Sequence, residues 1–92
     1  MRRFRYKESI PVDYNAQGYI YFLCINYEKL PAEMKRLIRE TARKAGGEYS
    51  RALLEFVTTA HGSAEICTKH YLCERTLWRA VQDFYVEFEK TL

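Results

Sequence analysis

Cys67, His70 and Cys73 stand at a C-x2-H-x2-C spacing, with His61 a short way upstream. Zinc favours those side chains, but a closed structural site takes four ligands, normally as two pairs distant in sequence. No second pair exists here, so no metal is expected. A Cys–His nucleophile would need a cleft and a third group to orient the base, which so short a chain has little room to build. The carboxylates are scattered without the close pairing that acid–base chemistry uses. Gly46-Gly47 reads as a helix stop rather than a phosphate-cradling loop. The chain is therefore read as non-enzymatic and without a cofactor.

The remaining chemistry is cationic. Arg2, Arg3, Arg5 and Lys7 make the N-terminus basic, and Lys35, Arg36, Arg39, Arg43 and Lys44 form a second cluster. Net charge is only +3, so placement matters more than total. From Glu65 onward the balance turns slightly acidic, with Lys69, Arg75, Arg79 and Lys90 against Glu65, Glu74, Asp83, Glu87 and Glu89. Phosphate contacts supply most non-specific affinity for nucleic acid. A DNA site in the C-terminal third must borrow positive charge from earlier in the chain.

The 92 residues make one domain, because a second core could not be built from what remains. Apolar residues are 48% of the chain, enough for a core and too many for a disordered tail. The longest apolar run, Tyr19 to Ile25, is far short of the roughly 20 residues that span a bilayer. No apolar run follows the basic start, so no secretory leader is expected. Three cysteines, an odd number, are read as reduced thiols in a cytoplasm.

These residues must be held by helices. Residues 1–13 alternate basic and aromatic side chains and end near Pro11, which disfavours helix just before it, so an extended arm is expected. Phe4, Tyr6 and Ile10 are the residues available to pin it. Residues 14–29 have strand-like composition, yet no second such run exists to pair with them, and Asp13 can cap a helix. A buried helix is expected there. Pro31 suits a first helical position, and Met34, Leu37, Ile38, Thr41, Ala42 and Ala45 share one helical face. Residues 48–59 repeat the pattern with Tyr49, Ala52, Leu53, Phe56 and Val57. After His61-Gly62, Ser63 is the expected cap of a further helix. Residues 74–90 close the chain, with Leu77, Ala80, Val81, Phe84 and Phe88 inward. The expected fold is all-α, a small orthogonal bundle of about five helices.

Residues 63 to 82 read Ser-Ala-Glu-Ile-Cys-Thr-Lys-His-Tyr-Leu-Cys-Glu-Arg-Thr-Leu-Trp-Arg-Ala-Val-Gln. This stretch resembles the helix-turn-helix superfamily, in which a short helix, a tight turn and a recognition helix pack together. Ile66-Cys67 match the apolar-then-small pair of the first helix, Leu72 the apolar turn residue, and Thr76-Leu77 with Ala80 the recognition helix. The pattern departs from the family at three places. Tyr71 stands where Gly is commonest, which asks an L-residue for a positive φ. His70 replaces an aliphatic residue, and Cys73 a capping Ser. The whole chain also resembles small, uncharacterised helix-turn-helix proteins of Gram-positive phages and mobile elements, through Gly46-Gly47-Glu48-Tyr49 and Phe56-Val57-Thr58-Thr59.

The resemblance implies double-stranded DNA as partner, a role in transcription regulation or mobile-element biology, and a homodimer as one arrangement. It places residues 14–60 as supporting helices and 63–92 as the helix-turn-helix. Glu74, Arg75, Trp78, Arg79 and Gln82 would face outward on the recognition helix, with Thr76 on a phosphate and Lys69 toward the backbone. Arg2, Arg3 and Arg5 of the arm would reach an adjacent minor groove. The rival reading is a protein-interaction domain, since eight tyrosines, five phenylalanines and Trp78 exceed what a small core can hide. A positive face joining Arg75, Arg79 and the Lys35–Lys44 cluster would favour DNA, and a contiguous apolar face would favour a partner.

Overall fold

Asp13 opens the first helix of the computed structural model, which describes residues 3–92. Its side chain accepts from the Ala16 amide at 2.8 Å, satisfying one of the N–H groups that a helix start leaves unpaired. Helix α1 then runs Tyr14–Ile25, so the strand-like composition yields to a helix. It buries Ile20, Tyr21 and Cys24, while Tyr14, Tyr19 and Phe22 stay more than half exposed on its other side. At its end the Asn26 side-chain amide donates to the Phe22 carbonyl at 2.7 Å.

Residues 3–13 form neither helix nor strand, and they turn back on themselves at residues 8–12. The segment expected as an extended arm lies fixed against α1, and the reason is Gln17. This side chain is 1% exposed. Its Oε1 accepts from the Lys7 amide at 3.1 Å, and its Nε2 donates to the carbonyls of Lys7 (2.9 Å) and Val12 (2.8 Å), with the Ile10 carbonyl at 3.3 Å. A polar side chain buried this deeply needs its partners; here it finds them in the backbone of its own N-terminal segment. Ile10 and Val12 enter the core beside it. Phe4 packs near Gly18 and between the rings of Tyr21 and Phe22, whereas Tyr6 remains largely exposed beside Tyr14.

Pro31 is the N-cap of α2 rather than its first residue, and the helix covers Ala32–Gly46. Gly46 is its last residue because a Cβ there would meet Leu53 at 3.1 Å; Gly47 then turns the chain at φ +54°. A single 3-10 turn leads into α3, Ser50–Thr58. Tyr49 stays exposed, so the inward face starts at Ala52. Helix α4 is Ser63–His70 and α5 is Glu74–Glu89. The all-helical expectation holds, with no strand among the described residues. Among them no helix is long and apolar enough to cross a membrane.

Helix α5 packs most extensively on α2 and also touches α1, α3 and α4. Phe84 and Phe88 of α5 join Phe56 and Leu53 of α3, Ile38 of α2 and Ile20 of α1 in a core from which water is fully excluded. Near the C-terminal end of α5, Glu87 binds Lys44 of α2 at 2.9 Å and Lys90 at 2.8 Å. The hydrogen bond from Lys90, with that from Lys44, holds the Glu87 carboxyl down at about 2.

Replacing Gln17 by Leu keeps bulk but leaves the carbonyls of Lys7 and Val12 without their donor. The expected result is a loss of roughly 1–3 kcal/mol in denaturant unfolding. Limited proteolysis should then cut first within residues 3–13. Unchanged stability with an uncut N-terminus would show that these carbonyls are satisfied without Gln17.

Candidate nucleic-acid interface

The junction between α4 and α5 is where sequence and backbone geometry conflict most. Helix α4 begins after Gly62, which occupies the N-cap position expected for Ser63. Ser63 is thereby freed to donate its hydroxyl to Glu74 Oε1 at 2.5 Å, joining the first residue of α4 to the first of α5. Helix α4 ends at Tyr71 with φ 58° and ψ 48°, the only non-glycine residue at positive φ among those described. The amides of Tyr71 and Leu72 both return to the Cys67 carbonyl, closing the helix in the manner usually reserved for glycine. The Tyr71 side chain is 96% exposed and packs on nothing that offsets the strained backbone.

Ile66 (0% exposed) and Leu77 (1%) face each other's helices in the core, with Ala80 and Cys67 buried beside them and Leu72 half-buried against the cluster. Burial pushes the Cys67 thiol up, as for any thiolate removed from water. His70 is no aliphatic wedge. Its Nε2 lies 2.9 Å from Glu55 Oε1, and Lys69 Nζ lies 3.0 Å from Glu55 Oε2, so both bolt α4 to α3. The hydrogen bond from His70 leads in holding the Glu55 carboxyl below its usual range. Lys69 is thus engaged with an acid instead of standing free for a phosphate.

Cys73 occupies the N-cap of α5 and makes no side-chain cap hydrogen bond; its sulfur lies 3.2 Å from the Thr76 hydroxyl. That hydroxyl, with the amides of Thr76 and Arg75, holds the Cys73 thiol below the usual range. The amides at the helix start therefore aim at the position of the Cβ substituent. Thr76 is occupied with this contact, and Glu74 with Ser63.

Arg75 and Arg79 are exposed one turn apart on α5 and take part in no ion pair among the described residues. Gln82 follows on the same side, half-buried. With Trp78 they form one wall of a shallow groove whose other wall is Lys7, Ser9 and Ile10. Trp78 itself is packed. Its ring meets Phe56 edge-on at 5.4 Å and 81°, and the Lys7 ammonium sits 5.0 Å from its centroid. Arg3 and Arg5 are exposed in the same N-terminal segment, while Arg2 lies outside the described residues.

Three members of the second basic cluster are engaged elsewhere. Lys44 is tied to Glu87, Arg39 donates to the Tyr27 hydroxyl at 2.8 Å, and Lys35 lies over the Tyr27 ring. Glu87 is eight residues beyond Arg79, about 12 Å along the helix axis. The positive charge beside Arg75 and Arg79 comes from the N-terminal segment, not from α2. Sequence reading missed this because only the Gln17 bonds bring Lys7 to Trp78. Cys67, His70 and Cys73 are respectively buried, bonded to Glu55 and exposed; among the described residues no three His, Cys, Asp or Glu side chains gather as metal ligands would.

Two substitutions test the junction. Tyr71→Gly should stabilise by about 1 kcal/mol, less than the full left-handed strain because glycine also loosens the unfolded chain. Thermal unfolding should rise by roughly 4–8 °C per kcal/mol for a domain of this size; an unchanged or lower midpoint would mean that Tyr71 carries no strain. Cys73→Ser supplies a better acceptor for the amides of Arg75 and Thr76 and should add up to about 1 kcal/mol. Destabilisation by that change would show the sulfur acting as a packed apolar group. No family model, curated protein or solved structure matches the chain, so the functional reading rests on these geometries.

Proposed function

We propose that the chain is a double-stranded-DNA-binding protein of helix-turn-helix type, acting as a transcriptional regulator or a mobile-element-associated factor. The observation that carries this reading is the groove in which Lys7 meets Trp78, Arg79 and Gln82. It sets a cationic N-terminal segment against the outward face of the second helix of a helix–turn–helix pair. In this reading α5 enters the major groove, and Arg75, Arg79 and Gln82 reach base edges or phosphates. Arg3, Arg5 and Lys7 follow the backbone alongside. Trp78 positions Lys7 instead of reading bases, and Glu74 and Thr76 organise the helix start. A reducing cytoplasm suits the three free thiols.

A second reading has an observation of its own. Tyr14, Tyr19 and Phe22 expose three aromatic rings on one side of α1, a helix without a charged residue. That face suits a protein partner or a second copy of the chain. The two readings are compatible if the face pairs two copies on paired half-sites.

Fluorescence anisotropy with a selected duplex and a scrambled one, across a salt series, tests the DNA reading. Arg79→Ala should weaken the selected duplex by roughly 1–3 kcal/mol and relax sequence preference. Arg3→Ala with Arg5→Ala should weaken both duplexes alike and flatten the salt dependence. Absence of binding to either duplex at low salt would overturn the proposal and leave the aromatic face as the functional surface.

A further inference from the structure

The N-terminal segment also roofs a cleft of about 520 Å³, within the range of small-molecule sites. Val57 of α3 and Val81 of α5 contribute its apolar floor, and Phe56 and Trp78, in edge contact, form a wall. Phe4 closes the opposite side above Tyr21. Of these rings Phe4 and Trp78 are partly exposed and open to a planar guest, with Phe56 and Tyr21 buried behind them.

Its charge is one-sided. Arg3, Arg5 and Lys7 line the cleft, and no Asp or Glu does. Lys7 is already held on the Trp78 ring, and Arg3 and Arg5 take part in no ion pair among the described residues. Three like charges around one cleft repel one another. That repulsion is relieved by any anion entering between them.

We propose that this cleft binds a planar aromatic anion, a ring seated beside Phe4 and Trp78 with a carboxylate or phosphate beside Arg3, Arg5 and Lys7. The ring accounts for the aromatic walls and the anion for the uncompensated cations. The cleft shares Lys7, Ile10 and Trp78 with the groove beside Arg79, but binding of a small anion is read without DNA and stands or falls separately from DNA binding.

Trp78 is the only tryptophan in the chain, so its indole N–H signal reports on the cleft directly. The full chain would be titrated with phenyl phosphate, benzoate, uncharged benzamide and inorganic phosphate while that signal is followed by NMR. Phenyl phosphate or benzoate should shift it saturably, and which of the two binds tighter identifies the anionic group. Benzamide and inorganic phosphate should not saturate over the same range. Arg3→Ala with Arg5→Ala, both exposed and in no ion pair among the described residues, should weaken binding about tenfold. Lys29→Ala with Arg36→Ala removes equal charge from outside the cleft and should leave affinity unchanged. The proposal is overturned by no saturable shift with either aromatic anion, or by an equal response to benzamide. It is also overturned if inorganic phosphate alone reproduces the shift, marking an adventitious ion only, or if both double variants weaken binding alike.

Discussion

The buried amide of Gln17 is the interaction on which the functional surface depends. One side chain pairs with an amide and with the carbonyls that residues 3–13 would otherwise bury without partners or leave to water. Once those bonds are made, Ile10 and Val12 can enter the core, and Lys7 has one place to go, over Trp78. The groove beside Arg79 and the cleft above Val81 are both consequences of that placement. A buried polar group with every partner in place costs little, whereas removal of one partner exposes the full desolvation cost of the others. The N-terminal segment is therefore held cooperatively or not at all.

The α4–α5 junction follows a different logic. Local preferences there are poor: tyrosine in a left-handed conformation, a thiol at a capping position, and a glycine N-cap that offers no side-chain acceptor. The left-handed tyrosine costs roughly 1–2 kcal/mol and each poor cap about 1 kcal/mol or less. Tertiary ties outweigh them. Ile66 and Leu77 are completely withdrawn from water, Ser63 is joined to Glu74, and Glu55 holds both Lys69 and His70. Conflict between local propensity and global fold, gathered at one turn, is where a functional constraint would be expected.

Charge is distributed by the same tertiary decisions. The cluster on α2 is dense in sequence but partly engaged in space, with Lys44 on Glu87 and Arg39 and Lys35 on Tyr27, while Arg36 and Arg43 are exposed. Arg3 and Arg5 near one end of the chain and Arg75 and Arg79 near the other are exposed and without acidic partners among the described residues. The other unoccupied surface is the aromatic side of α1. Phe4 links the two, lining the cationic cleft while its ring meets Tyr14 and Phe22 of α1.

Periodicity along the sequence determined the helices by itself. The apolar face of residues 34–45, the glycine stop at 46–47, the inward set from Leu77 to Phe88 and the Asp13 cap all depend on neighbours within a turn or two. The positive φ at Tyr71 followed from the resemblance, whose pattern most often has Gly at that place. What only the tertiary structure decided are contacts between distant residues: Gln17 with Lys7 and Val12, Lys7 with Trp78, His70 and Lys69 with Glu55, Lys44 with Glu87. Glutamine, lysine and histidine are ordinarily surface residues, and nothing in their spacing distinguishes the one that is buried from those that are solvated. Helix start and stop signals are local and can be read in order along the chain; the partner of a polar side chain is fixed only when packing brings two remote segments within hydrogen-bond reach.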